Sequence, residues 1–298
     1  MHANKRRFSE VFLWAIVVFG FVGAACAQQP PAKITLPPTV ENHKLSSKLM
    51  AREMPYRVVL PVKYKNQNEK TLYPVVYLLH GLTGHFDNWT EKTKLAEYAA
   101  KYDYIIVTPE GGNGWYSDSV TVPNDKYERY IIQELIPEID KKFRTAGDRS
   151  HRAVAGLSMG GYGSIKFGLK YPEMFALVGS FSGAVGAASW TEKDLRPNSP
   201  IAKSLVEIFG IADSQTRLQN DLFKRIRESP ADKINSLPFI YIDCGTEDFL
   251  FQNNRDFVNL LIEKKVKHEF RQLPGGHDWK FWDAQVQEFL ELSERFIK

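Results

Sequence analysis

The 298-residue sequence has only two cysteines, Cys26 and Cys244. One pair cannot hold a fold of this size together, so stability has to come from a packed core rather than a disulfide framework. Cys244 lies in the apolar run 239–244 and reads as a buried, inert thiol. Metal-binding strings are missing: there is no H-E-x-x-H, no cysteine pair and no acidic run at EF-hand spacing. The phosphate-loop string G-x-x-x-x-G-K-[ST] is also absent. The chain is therefore expected to need no metal and no cofactor. Strong charge of one sign is lacking too. The net charge is +4, and residues 1–27 contribute Lys5, Arg6, Arg7 and Glu10, so +2 remains beyond them. With no basic stripe and no aromatic-basic alternation, nucleic acid is an unsuitable partner. No internal repeat, low-complexity block or second linker divides the chain.

At the N-terminus, Lys5, Arg6 and Arg7 precede an apolar run from Val11 to Val22, followed by Ala25-Cys26-Ala27. A basic segment, an apolar core and a small-x-small site form an export signal, with cleavage expected after Ala27. The apolar run is shorter than the ~20 residues that span a bilayer. A second reading anchors the protein by lipid at Cys26, although Gly23 makes that motif imperfect. Both readings place the protein outside the cytoplasm, in the periplasm or secreted. Residues 28–45 hold Pro30, Pro31, Pro37 and Pro38 among polar residues and read as a tether. One domain over 46–298 is expected.

That domain alternates between two periodicities. Short runs rich in β-branched and aromatic residues occur at 56–60, 75–79, 104–107, 153–155, 177–178 and 239–242, with an alternating run at 268–273. Several are apolar on both faces, as strands of a covered parallel sheet are. Helical patterns fall between them: from Asp87 or Asn88 to Tyr98, from Asp125 to Phe143 with Pro137 as a kink, and over 159–171, 253–265 and 279–297. The expected fold is α/β, with a mostly parallel central sheet and helices on both faces. Residues 185–235 fit the alternation poorly and are expected to form a cap or insertion.

The most informative segment is Gly156-Leu-Ser158-Met-Gly160, a G-x-S-x-G string between a buried strand and a helix. A serine at such a sharp turn is exposed and strained, and glycines on either side leave room for close approach; this is the nucleophile elbow of α/β-hydrolases. An oxyanion formed by serine attack needs two preorganised donors. The Met159 N–H supplies one. The loop His80-Gly-Leu82-Thr-Gly84, directly after the strand 75–79, supplies the other at Leu82. His80 is read as organising that loop rather than as a base. The order Ser, acid, His selects between His268 and His277. His277, in a loop between a strand and a helix, is the base. Asp248 is the acid, ahead of Glu247 and Asp243 in the same cluster, and Asp278 is expected to point elsewhere. Trp115 and Tyr116 either line a substrate pocket or pack beneath their loop. Trp89 and Trp279 read as packing residues.

With these residues in view, the chain resembles the esterase D-like family. That family includes S-formylglutathione hydrolases, feruloyl and acetylxylan esterases, tributyrin esterases and mycolyltransferases. The likeness runs through segments 47–61, 77–84, 111–118, 156–163, 244–248 and 275–279. The resemblance implies a serine esterase, with nucleophile Ser158, acid Asp248, base His277 and oxyanion donors Leu82 and Met159. The substrates it implies are small-molecule or carbohydrate-linked esters. It also admits an acyltransferase using the same triad. A catalytically silent binding protein on a hydrolase scaffold is a third reading, and an export signal argues against the cytosolic thioesterase branch.

Overall fold

The computed structural model describes residues 39–191, 194–196 and 198–297. The expected export signal, Cys26 and most of the expected tether lie outside the described residues. Residues 40–45, expected to belong to that tether, are a strand instead. Val40–Ser47 forms strand β1 and pairs antiparallel with β2 (Arg52–Val59), burying Val40 and Ser47. The alternation of 40–47 between partly buried and exposed positions is that of an edge strand. Proline content alone could not reveal it.

Six further strands follow: β3 (Val75–Leu79), β4 (Ile105–Pro109), β5 (Arg152–Leu157), β6 (Leu177–Phe181), β7 (Phe239–Gly245) and β8 (His268–Leu273). They form one eight-stranded sheet in the order β1-β2-β4-β3-β5-β6-β7-β8. β1, β2 and β4 are joined antiparallel, and the run from β4 to β8 is parallel. Every residue of β3, β4, β5 and β6 is buried, which accounts for their largely apolar character, with Thr108, Arg152 and Ser180 as the polar exceptions.

Helices cover both faces. α1 (Asn88–Lys92) and α2 (Leu95–Ala99) pack on one face with the C-terminal helix α11 (Trp279–Ser293), against Val76, Leu78 and Phe181. On the other face, α3 (Tyr127–Arg129) continues through a π-helical stretch, Tyr130–Leu135, into α4 (Ile136–Lys142). The kink expected at Pro137 takes this form. Proline has no N–H for the carbonyl one turn back, and the widened turn just before it absorbs the mismatch. α5 (Met159–Lys170) follows the elbow and is buried along almost its whole length.

Residues between β6 and β7 form the expected insertion: α6 (Pro200–Phe209), α7 (Gln215–Asn220), α8 (Leu222–Glu228) and α9 (Ala231–Ser236). Ser199, Ser214 and Asp221 cap the first three with side-chain oxygens on backbone N–H groups. α10 (Phe251–Glu263) connects β7 to β8. In the parallel half, Leu79 lies opposite Gly156, Leu157 opposite Phe181, and Gly245 opposite Leu273. The loops after β3, β5, β7 and β8 therefore leave the same sheet edge, the place where open α/β sheets bind ligands.

Candidate active site

Ser158 sits between β5 and α5 with φ 51° and ψ −113°, a conformation that side chains adopt only under strain. The surroundings hold it there. Its N–H donates to the Phe181 carbonyl at 2.9 Å, and its carbonyl accepts from Tyr162 at 3.0 Å and Ala184 at 3.0 Å. A Cβ on Gly156 would lie 2.6 Å from the Gly160 backbone, and one on Gly160 would collide with the Leu79 carbonyl. The G-x-S-x-G glycines are thus required by contact between the turn and β3.

His277 Nε2 is 3.0 Å from Ser158 Oγ, and its Nδ1 is 2.8 Å from Asp248 Oδ2. The acid and base loops are tied together: Thr246 N–H donates to the Leu273 carbonyl at 2.9 Å and Glu247 N–H to Gly275 at 3.0 Å. The other Asp248 oxygen accepts from Leu250 N–H at 2.8 Å. Burial pushes the Asp248 carboxyl up, but the His277 and Leu250 hydrogen bonds outweigh it and hold the pKa below the usual value. The Asp248 side chain is fully enclosed, while His277 retains some contact with solvent.

The competing acids are placed elsewhere. Glu247 is exposed. Asp243 is fully buried inside β7, and neither carboxyl oxygen has a hydrogen-bond partner among the described residues. Burial drives its pKa well above that of an ordinary carboxylate. Asp278 caps α11 by accepting from Phe281 N–H at 2.9 Å. His268 contacts the Val266 carbonyl, far along β8 from the edge. His80 is buried; its Nε2 accepts from Gly111 N–H at 2.8 Å and its Nδ1 donates to the Gly81 carbonyl at 2.7 Å. Those two bonds fix the tautomer and leave no ring nitrogen free for base chemistry. They pin the Gly81–Gly84 loop, which Asn113 Oδ1 also holds by accepting from Thr83 N–H at 2.8 Å. A Cβ on Gly81 would lie 3.4 Å from Ser158 Cβ, so this loop runs directly beside the nucleophile. Met159 is the first residue of α5, where an amide N–H has no carbonyl a turn below it. Among the described residues, no protein acceptor takes the Leu82 N–H.

A cleft of about 460 Å³ opens over Ser158 and His277. Trp115 and Trp190, edge-on to each other, form one aromatic part of its wall, and Phe249 and Trp282 flank the His277 ring at 4.7 and 4.9 Å; Ala184, Ile201 and Trp279 also line it. Trp115 and Tyr116 separate here. Trp115 borders the cleft and donates from Nε1 to Ser204 Oγ at 2.9 Å. Tyr116 does not border it. The ring is fully buried under Gly111 and Gly163, with its hydroxyl on the His80 carbonyl at 3.0 Å, so its assignment as a substrate contact is corrected to packing. Trp89 packs as expected and donates to the Leu79 carbonyl at 3.1 Å. Trp279 is corrected in the other direction. It is half-buried and lines the cleft, stacked edge-on to Trp89 and Trp282.

Several contributors escaped the sequence reading. Trp190 and Ile201 come from the insertion, whose docking no local pattern encodes. Lys166, fully buried on α5, donates to the Tyr116 carbonyl at 2.5 Å, to Ser117 Oγ at 2.6 Å and to Glu128 at 2.8 Å. Burial pushes the Glu128 carboxyl up, but Lys166 and Lys170 together bring it down to about 2. This ion pair holds the loop at Trp115 and Tyr116, both at positive φ. A lysine within a glycine-rich, otherwise apolar helix was the available signal.

Among the described residues, no group of His, Cys, Asp and Glu is arranged to hold a metal ion. Cys244 is buried and unpaired, and burial raises its pKa far above an ordinary thiol's.

The sheet order, the strained serine turn and the cleft define an α/β-hydrolase-fold serine hydrolase that acts on carboxylic esters. The chain belongs to the family described as "Putative esterase", which it matches over residues 47–291. An acetyl esterase from Caldicellulosiruptor saccharolyticus is 28% identical over 256 residues, covering 84% of this chain and 96% of that protein. An esterase of Mycobacterium tuberculosis, Rv1288, is 30% identical over 236 residues, which are 74% of this chain and 51% of that longer protein. A solved ferulic acid esterase superposes with a TM-score of 0.74 at 31% identity, covering 87% of this chain and 98% of its own. The fluorophosphonate-binding serine hydrolase F of Staphylococcus aureus superposes equally well, at 0.74, with 25% identity over 85% of this chain and 97% of its own.

Proposed function

We propose that the protein is an exported carboxylesterase that removes acetyl, feruloyl or other short acyl groups through an acyl-serine intermediate. The observation that carries this reading is the unbroken chain Ser158 Oγ, His277, Asp248, with both hydrogen bonds at 3.0 Å or less. His277 Nε2 takes the Ser158 proton as Oγ bonds to the ester carbonyl carbon. The carbonyl oxygen becomes an oxyanion facing the Leu82 and Met159 N–H groups. When the carbon–oxygen bond to the alcohol breaks, His277 returns the proton to the departing alkoxide. Water enters, gives its proton to His277, and bonds to the acyl carbon. Collapse then releases the acid and restores the Ser158 hydroxyl. Asp248 orients the imidazole and stabilises its cation throughout. The acetyl and ferulic acid esterases among the similar proteins support the acyl range.

Export rests on the basic, apolar and small-residue succession in 1–27. The reading is tested by Ser158→Ala, which is expected to lower turnover of p-nitrophenyl acetate by ~10⁴-fold or more with unchanged circular dichroism. Retention of most activity, or absence of Ser158 labelling by a fluorophosphonate, would reject it. N-terminal sequencing of the exported protein is expected to begin at Gln28.

A further inference from the structure

Beside the catalytic cleft lies a second, apolar one of about 520 Å³ within the insertion. Trp190 is the residue that walls both. α6 runs between them: Ile201 faces the catalytic cleft, while Ala202 and Val206, one turn apart, face the second. Val206 is 45% and Ile211 74% exposed in the second cleft. The acyl group must occupy the Trp115–Trp190 end, because His277 has to reach the departing alcohol and so claims the opposite end.

We infer that Trp190 is the specificity-determining residue that stops the acyl group, and that the cleft behind it is a subsite for the distal methylenes of a longer aliphatic chain once that wall is removed. This rests on Ser158 acting as the nucleophile. The wall is built to stay in place. Trp190 N–H donates to the Gly186 carbonyl at 3.2 Å, and its own carbonyl accepts from Arg217 at 2.8 Å. The indole stands edge-on to Trp115, with ring centres 6.4 Å apart. Arg217 is buried, and its guanidinium donates to the backbone carbonyls of Gly210, Ala188 and Trp190, so it clamps the segment rather than pairing with a carboxylate. A short acyl group fits in front of Trp190, whereas one as long as octanoyl or feruloyl meets the indole, so this inference narrows the acyl range of the proposed function to its acetyl end.

The experiment compares kcat/KM for p-nitrophenyl octanoate and p-nitrophenyl acetate in the full-length enzyme. Each additional buried methylene is worth about fourfold. Trp190→Ala is expected to raise the octanoate-to-acetate ratio at least ~10-fold over wild type. Adding Val206→Trp, which refills the second cleft, is expected to return the ratio to near the wild-type value. Trp190→Leu serves as a milder variant if the alanine form does not fold, and should raise the ratio by a few-fold. An unchanged ratio in both Trp190 variants, or a gain that survives Val206→Trp, overturns the inference. An unchanged ratio would leave the exposed Val206–Ile211 face as a surface separate from the reaction. If Ser158→Ala stays active, the nucleophile assignment fails instead, so the two failures are separable.

Discussion

Two regions meet at the catalytic cleft and are built on opposite principles. The elbow at 156–160 is over-determined: it is buried on both sides, lies against β3 at backbone distance and holds a serine at positive φ. The insertion at 187–236 is a set of short helices joined by capped turns, and it contributes cleft walls rather than reacting groups. The elbow and its partner loops have one workable geometry, because a Cβ or a one-residue shift meets main chain. The insertion is less constrained, because its side chains line the cleft without a backbone pressed against the catalytic turn. Chemistry is therefore expected to fail when the elbow is altered, and selectivity to shift when the insertion is altered.

The strongest challenge to this contrast is the triad itself. Asp248→Asn is expected to lower kcat by ~10³–10⁴-fold by favouring the wrong His277 tautomer, whereas Glu247→Gln should stay within about twofold of wild type. Steady-state kinetics on p-nitrophenyl acetate checks both, and a near-neutral Asp248→Asn would break the assignment. Next in size, Gly160→Ala places a Cβ on the Leu79 carbonyl and should cost about 3 kcal/mol or more, read as a lower urea midpoint. An alanine normally favours a helix, so a stabilised variant would show the elbow to be looser than its contacts imply.

The Glu110 side chain, under the oxyanion loop, gives a pH test. Burial raises its pKa, but the N–H groups of Gly112 and Phe86, donating to its oxygens at 2.8 and 3.2 Å, help hold it below the usual 4.5. The folded value lies below the unfolded one, so this contribution is present above pH 4.5 and is lost as pH falls toward 2. Glu110→Gln should therefore be less stable than wild type by about 1–2 kcal/mol at pH 7, with the gap clearly narrower at pH 3. Parallel urea titrations at the two pH values measure it. The smallest effect is expected in the insertion. Ser204→Ala removes the acceptor for Trp115 Nε1 and should cost about 1 kcal/mol, raising KM a few-fold with kcat nearly unchanged.

Much of the reacting centre was legible before any coordinates. Ser158 and its flanking glycines form a local signal, since strand, turn and helix are contiguous in sequence. His277 and Asp248 were reachable because this fold places chemistry in loops at strand ends, and the chain order narrows the choice. The cleft walls were not legible. Tyr116 stayed open between pocket and packing, and Trp279 was read as packing, because an aromatic ring beside a loop can turn inward or outward, and only the neighbouring glycines and rings decide which. Residues 40–45 looked like tether because an edge strand needs a partner to exist, and that partner, β2, is stabilised by β4 from another part of the chain.

What the sequence determined by itself was therefore periodic or contiguous: the buried parallel strands, the elbow, the order of acid and base, and the scarcity of cysteine that leaves stability to the core. The tertiary structure alone decided which rings line the cleft, how the insertion contributes to its walls, and that Lys166 braces the loop at Trp115 and Tyr116. The reason is that burial pattern and backbone strain are written in neighbouring residues, whereas a cleft is the space left between segments far apart along the chain.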